Sequence, residues 1–271
     1  MVQDRKTDIA RCQEIAPGVH CQEIGKGISR SNVYFVQSGA SWVLIDAASA
    51  GCAQLMKRTA ESLFGANTRP ASILLTHDHP DHAGSARELA RTWDCPVYVH
   101  PDELPLATIS DLSTVTKYAN PLDRWVILPL LRVLPRRRVQ SMLSKSSLKP
   151  LVQAFDPEGG VPGLPDWQCI HTPGHTPGHV AFFRPADRIL ITGDALLTVD
   201  LNSIWSFPLW ALRQSRHKVS GPPWYSTWNR LAAGESVHLL AGLEPSVLAP
   251  GHGVPSGGED MASGLRACAS R

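Results

Sequence analysis

Thr76-His77-Asp78-His79-Pro80-Asp81-His82 sets three imidazoles and the Asp81 carboxylate within one short turn. That spacing serves to hold metal ions rather than to build a core, so the fold must bring further ligands to it from elsewhere in the chain. The preceding segment, Ala71 to Thr76, is a short apolar run with β-branched residues and reads as a buried strand that delivers the cluster at its C-terminal end. A helix begins at Asp81 and continues past Ala90. On such a strand-to-helix turn, His77 and His79 alternate toward one ion, while Asp81 and His82 at the helix start reach a second. Imidazole nitrogen and carboxylate oxygen are the donors that zinc and other first-row ions accept, at about 2.0 to 2.2 Å. The alternative is a histidine-rich surface turn without metal. The buried strand before the cluster and the interleaved aspartate disfavour it.

Three more strand-like runs end in ligand-type residues. His175 lies in a loop between the runs Trp167 to His171 and Val180 to Phe183, Ile189 to Gly193 leads into Asp194, and Val247 to Gly251 leads into His252. Each alone would be an ordinary capping or surface residue; together with the first turn they complete a set.

The ordered series Asp46, His77-x-His79-x-Asp81-His82, His175, Asp194 and His252, spread over residues from about 18 to 255, resembles the metallo-β-lactamase superfamily in its glyoxalase II and lactonase-like branch. The resemblance implies an α+β fold, the αββα four-layer sandwich of two mixed β-sheets flanked by helices, with the metal site along one edge. It further implies two divalent ions, zinc in the first place with iron or manganese as alternatives. His77, His79 and His175 would bind one, Asp81, His82 and His252 the other, and Asp194 would bridge both. Asp46 would sit behind the ligands, orienting an imidazole and fixing its tautomer. His179 is a candidate for a similar place.

A single domain over residues 1–271 is expected, because the candidate ligands span most of the chain. With 43% hydrophobic and 18% charged residues, the 271-residue chain reads as a compact soluble enzyme. Its net charge of +2 provides no global field for nucleic acid or membrane. The first residues lack the apolar stretch of a secretory signal, and no run is long enough to span a bilayer. Cys12, Cys21, Cys52, Cys95, Cys169 and Cys268 form no Cys-x-x-Cys pair and read as reduced thiols of a cytoplasmic protein.

Residues 101–165 lie between two similar halves of strands and helices and read as a helical, lid-like insertion. Its centre is apolar and then basic, from Trp125 to Arg138, with Pro129 and Pro135 interrupting helices. The apolar residues would line an acyl or aromatic pocket, while Arg136 to Arg138 read as a solvated basic face. An aromatic group after Asp194, including Trp205, Trp210, Trp224 and Tyr225, supplies further candidate pocket walls.

Two bridged cations lower the pKa of a shared water and polarise a carbonyl or phosphoryl oxygen, so hydrolysis requires no Ser or Cys nucleophile. Asp81 and Asp194 are the candidate catalytic carboxylates. The expected function is dinuclear hydrolysis of a small carboxylic ester, lactone or thioester by a bridging hydroxide. β-Lactam or organophosphate hydrolysis on the same site, or a mononuclear iron oxidoreductase of the persulfide dioxygenase type, are the alternatives. The partner is a small-molecule substrate, and exposed aromatics would allow a homodimer.

Overall fold

The computed structural model of the chain describes residues 12–203 and 218–270. Trp205 and Trp210, two of the candidate pocket walls, lie outside the described residues. The chain opens with β1 (Cys12–Ala16), β2 (Val19–Ile24), β3 (Ser31–Ser38) and β4 (Ser41–Ile45), each antiparallel to the next. The β3–β4 turn is tight because Gly39 adopts a φ of +59°, a region that costs other residues more. From β4 onward the connections become crossovers. Helix α1 (Ala53–Phe64) returns the chain so that β5 (Ser72–Leu74) lies parallel to β4. Helices α2 (Pro80–Ala83) and α3 (Ala86–Trp93) lead to β6 (Val97–Val99), parallel again.

Four helices follow, α4 (Leu104–Ala107), α5 (Leu112–Lys117), α6 (Leu128–Val133) and α7 (Arg136–Ser146), before β7 (Val152–Ala154) closes this sheet against β6. The second sheet holds β8 (Gln168–His171), β9 (Val180–Arg184) and β10 (Ile189–Gly193). Helix α8 (Arg230–Gly242) then leads to β11 (Val247–Pro250), which lies parallel to β10, and β12 (Ser256–Gly257) and α9 (Gly258–Ala269) complete the described chain.

Alternation along the strands divides the core into three layers. Tyr34, Val36, Val43 and Ile45 face inward and meet Val180, Phe182, Ile189 and Ile191 between the sheets. Their neighbours Phe35, Leu44 and Ile73 point the other way, onto Met56, Ala60, Leu89 and Trp93 of α1 and α3. On the far side, Phe183, Leu190 and Leu248 pack under Val237, Leu240, Met261 and Leu265 of α8 and α9. The sequence of layers is helix, sheet, sheet, helix, and the αββα sandwich expected from the ligand series is the observed fold. Burial on both faces explains why β4, β5 and β10 are nearly continuous apolar runs.

The segment between β6 and β7 departs from its sequence reading at Pro129. The chain is helical from residue 121 to 133 and passes through the proline, with a wider π turn over Asp123–Ile127 immediately before it. A π turn accommodates a residue that lacks an N–H, so the helix bends its ladder there rather than ending. Pro135 does break the helix, and α7 starts directly after it. The helices α5 to α7 share a small core of Leu131, Val139 and Leu143. Arg136, Arg137 and Arg138 are exposed, the solvated face expected of them. Among the described residues, all six cysteines are free thiols, and no helix is long and apolar enough to cross a membrane.

Candidate metal centre

The seven ligand-type residues singled out in the sequence lie in the connections that follow β5, β8, β10 and β11, with Asp81 and His82 in α2, and all seven converge on one edge of the sandwich. Three overlapping groups, His77 with His79 and His175, His77 with His82 and Asp194, and Asp81 with His82 and His252, each have ligand atoms within 4.8 Å of one another. Asp194 is central. Its Oδ1 lies 3.4 Å from His82 Nε2, and its Oδ2 lies 3.4 Å from His175 Nε2 and 3.3 Å from His252 Nε2. Asp81 Oδ2 is 3.3 Å from His252 Nε2.

The outward-facing nitrogens of the rings are held by the protein. His82 Nδ1 donates to Asp46 Oδ2 at 2.8 Å and His252 Nδ1 to the Arg30 carbonyl at 2.6 Å. The Thr76 hydroxyl gives its proton to Asp46, so it accepts from His77 Nδ1 at 3.0 Å. The Thr227 hydroxyl likewise donates to the Pro223 carbonyl and accepts from His175 Nδ1 at 3.5 Å. Each of these four rings therefore turns Nε2 toward the shared space. Asp46 orients two of them, one directly and one through Thr76.

His179 stands behind Asp194. Its Nε2 accepts the Asp194 N–H at 3.0 Å, so its proton sits on Nδ1, 2.7 Å from the Thr172 hydroxyl. Burial lowers its pKa to about 3, which keeps the ring neutral in this tautomer. Two glycines allow the close approach. A Cβ on Gly251 would fall 2.2 Å from Asp194 Oδ1, and one on Gly193 would fall 2.8 Å from both Thr76 Cβ and His179 Nε2.

Burial lowers the pKa values of His77, His79 and His175. Burial opposes charge on His82 and His252 too, but Asp194 and the neighbouring carboxylates overcome it, raising His82 well above its usual value and His252 to about 10. The chemistry of the donor set favours metal. Two protonated rings with Nε2 atoms 3.4 Å apart repel each other, whereas dications would balance the carboxylates and leave the rings neutral. His77 Nε2 and Asp194 Oδ1 are buried without a hydrogen-bond partner, an arrangement that a metal ion satisfies.

A family profile for the metallo-beta-lactamase superfamily matches residues 27–252. The chain belongs to the metallo-beta-lactamase superfamily. It is similar to the probable metallo-hydrolase YflN of Bacillus subtilis (strain 168), with 35% identity over 95% of this chain and 92% of that protein. Among solved structures it is similar to TTHA1623 in a di-iron-bound form, with 26% identity, a TM-score of 0.53, and coverage of 87% of this chain and 93% of that one. The metallo-beta-lactamase family protein TTHA1429 from Thermus thermophilus shares the fold, with 21% identity, a TM-score of 0.61, and coverage of 95% of this chain and 80% of that one. As a member of this metallo-beta-lactamase superfamily the chain is a metal-dependent hydrolase.

The aromatic residues divide. Burial raises the Tyr225 phenol to about 12, and the carboxylates of Asp194 and Asp81 add to the effect. Trp224 is half exposed and lines a separate cavity with Asp200, Lys218 and Arg230 that none of the seven ligand-type residues borders. Sequence reasoning passed over Glu103. It is fully buried and accepts hydrogen bonds from the Asp78 N–H at 2.8 Å, the Thr176 hydroxyl at 2.7 Å and the Gly178 N–H at 2.9 Å, joining the two turns that carry His77, His79 and His175. No local pattern marks it, because its partners lie 25 to 75 residues away in sequence. His100 and His171 stack with ring centroids 4.0 Å apart near Asp102.

Proposed function

We propose that this protein is a dinuclear hydrolase that cleaves a small carboxylic ester, lactone or thioester, with zinc as its metal. The observation that carries the reading is the convergence of two three-ligand groups on one carboxylate. His77, His79 and His175 would hold one ion, Asp81, His82 and His252 the second, and Asp194 lies between the groups. The set contains imidazoles and carboxylates without thiolate, which suits zinc and is open to iron or manganese. Bound there, the ions would lower the pKa of a water and polarise the carbonyl under attack.

The protein's own groups do the rest. Asp46, Thr76, Thr227 and the Arg30 carbonyl fix the tautomers of the ligand rings, and His179 holds the Asp194 backbone. Asp81 has a side chain 26% exposed, against 5% for Asp194. It is therefore the carboxylate placed to take a proton inside the site and release it to solvent. A mononuclear iron reading leaves Asp81, His82 and His252 without a purpose, and their mutual approach favours two ions.

Metal analysis of the purified protein should find about two ions per chain, and His252→Ala should reduce this to about one. The loaded enzyme is then assayed on lactones, aryl esters, thioesters, β-lactams and phosphotriesters. One ion per chain in the unaltered protein, unchanged by His252→Ala, would overturn the dinuclear assignment, and turnover confined to β-lactams or phosphotriesters would overturn the substrate class.

A further inference from the structure

A cavity of about 370 Å³ opens beside His79 and His175 and extends away from the other ligands into the helices of the insertion. Its walls are Ile109, Val115, Ile127, Leu131, Met142 and Leu143. Its polar lining includes Asn120, whose Oδ1 is taken by the Asp123 N–H, and Asp123 itself, whose carboxyl is raised by burial. Among the described residues, no lysine or arginine lines it. The volume lies in the range of small-ligand pockets, and His79 and His175 of one ligand group line part of it.

We propose that this cavity receives the acyl side of the substrate and selects an uncharged, apolar chain or ring, a reading that rests on the hydrolase assignment above. The scissile carbonyl would lie at the His79 and His175 end. Water adds across the C–O or C–S bond, its OH going to the acyl carbon and its proton to the departing alcohol or thiol. Apolar walls favour each methylene they cover, and the Asp123 carboxylate on the wall repels an anionic tail.

The test uses p-nitrophenyl acetate, butyrate and hexanoate with the zinc-loaded enzyme. kcat/KM is expected to rise by roughly fourfold per methylene. Val115→Trp fills the cavity and should flatten the series, lowering hexanoate far more than acetate. Met142→Arg, at a half-exposed wall position, should lower hexanoate and raise the mono-p-nitrophenyl ester of succinate. A flat wild-type series would overturn the proposal, as would a loss on acetate equal to the loss on hexanoate in both variants. Calorimetry with hexanamide and acetamide separates the two readings. Hexanamide binding without hydrolysis of any ester would remove the hydrolase reading and keep the cavity assignment, whereas equal weak binding of both amides would remove the cavity assignment.

The outer face of the same helices carries a second inference. Along residues 121–133, Leu122, Trp125, Val126, Leu130 and Val133 recur every one to four residues and are exposed, Trp125 at 77% and Val133 at 79%. Between Leu122 and Lys145 the chain holds five arginines and one lysine against the single acid Asp123. A second copy placed symmetrically on this face would bring like charges together, whereas an anionic bilayer offers an apolar layer beneath opposite charge. We infer that this face docks on anionic lipid. In sedimentation with the full chain, vesicles of equal phosphatidylcholine and phosphatidylglycerol should carry the protein down and pure phosphatidylcholine should not. Trp125→Ser with Val133→Ser should abolish binding, and replacing Arg136, Arg137 and Arg138 by glutamine should weaken it on the order of a hundredfold. Binding unmoved by both sets of changes would overturn the inference, as would a dimer in light scattering that Trp125→Ser dissociates without any vesicle binding.

Discussion

Replacing Asp194 by alanine is expected to lower kcat/KM by at least about a thousandfold while leaving the far-ultraviolet circular dichroism unchanged. The carboxylate lies within 3.4 Å of nitrogens on His82, His175 and His252, and among the described residues no other carboxylate reaches both ligand groups so closely. Without it, two dications would face each other with only the Asp81 carboxylate left among the ligands to offset their mutual repulsion. The fold should survive, because what holds this strand end is backbone. The residue-194 N–H still donates to His179, and Gly251 N–H still donates to the Gly193 carbonyl at 2.7 Å. Metal content should fall below two ions per chain in the same preparation. Turnover within about tenfold of wild type, with both ions retained, would show that Asp194 does not bridge.

The residues at strand ends were legible in the sequence for a physical reason. A strand buried on both faces must be apolar throughout, so a histidine or aspartate at its end stands out against the run before it, as at Leu75-Thr76-His77 and Thr192-Gly193-Asp194. Three of the four edge strands were not legible, β8 at Gln168–His171 being the exception. β1 and β12 are short and half exposed, and β7 is three residues long, so none carries enough periodicity to separate it from a loop. Asp46 was legible as an orienting group only through its place in the ligand series. Its second action, through Thr76 onto His77, requires knowing that the Thr76 hydroxyl faces it. The pocket residues were legible as an apolar insertion but not as a cavity, since Val115, Leu131 and Met142 come together only when three helices pack.

Glu103→Ala is expected to do double damage, to the fold and to the metal site. The residue follows β6 in a short helical turn and is fully buried, with Oε1 taken by the Asp78 N–H and Oε2 by Thr176 and Gly178. Gly178 packs so closely that a Cβ there would lie 2.1 Å from the Glu103 nitrogen. Alanine strands three buried donors, each costing about 1 to 3 kcal/mol. A loss of about 3 kcal/mol should lower Tm by roughly 6 to 12 °C. Because the carboxylate joins the His77 and His79 turn to the His175 turn, affinity for the ion they share should drop by about 10- to 100-fold. Chelator competition with the cobalt-substituted protein measures that affinity, and the cobalt absorption spectrum reports the altered geometry. Glu103→Gln should be milder, since its oxygen can still serve Thr176 and Gly178 and only the Asp78 N–H meets an amide. The pH dependence has a definite sign. Burial raises the Glu103 carboxyl to about 7, above the roughly 4.3 of a solvated glutamate, so the folded protein binds its proton more tightly than the unfolded chain does. Wild-type stability relative to Glu103→Gln should therefore be greatest below about pH 4 and decline as pH rises toward 7. Unchanged cobalt affinity and spectrum in Glu103→Ala, with Tm lowered as expected, would show that the residue supports the fold alone and does not set the ligand geometry.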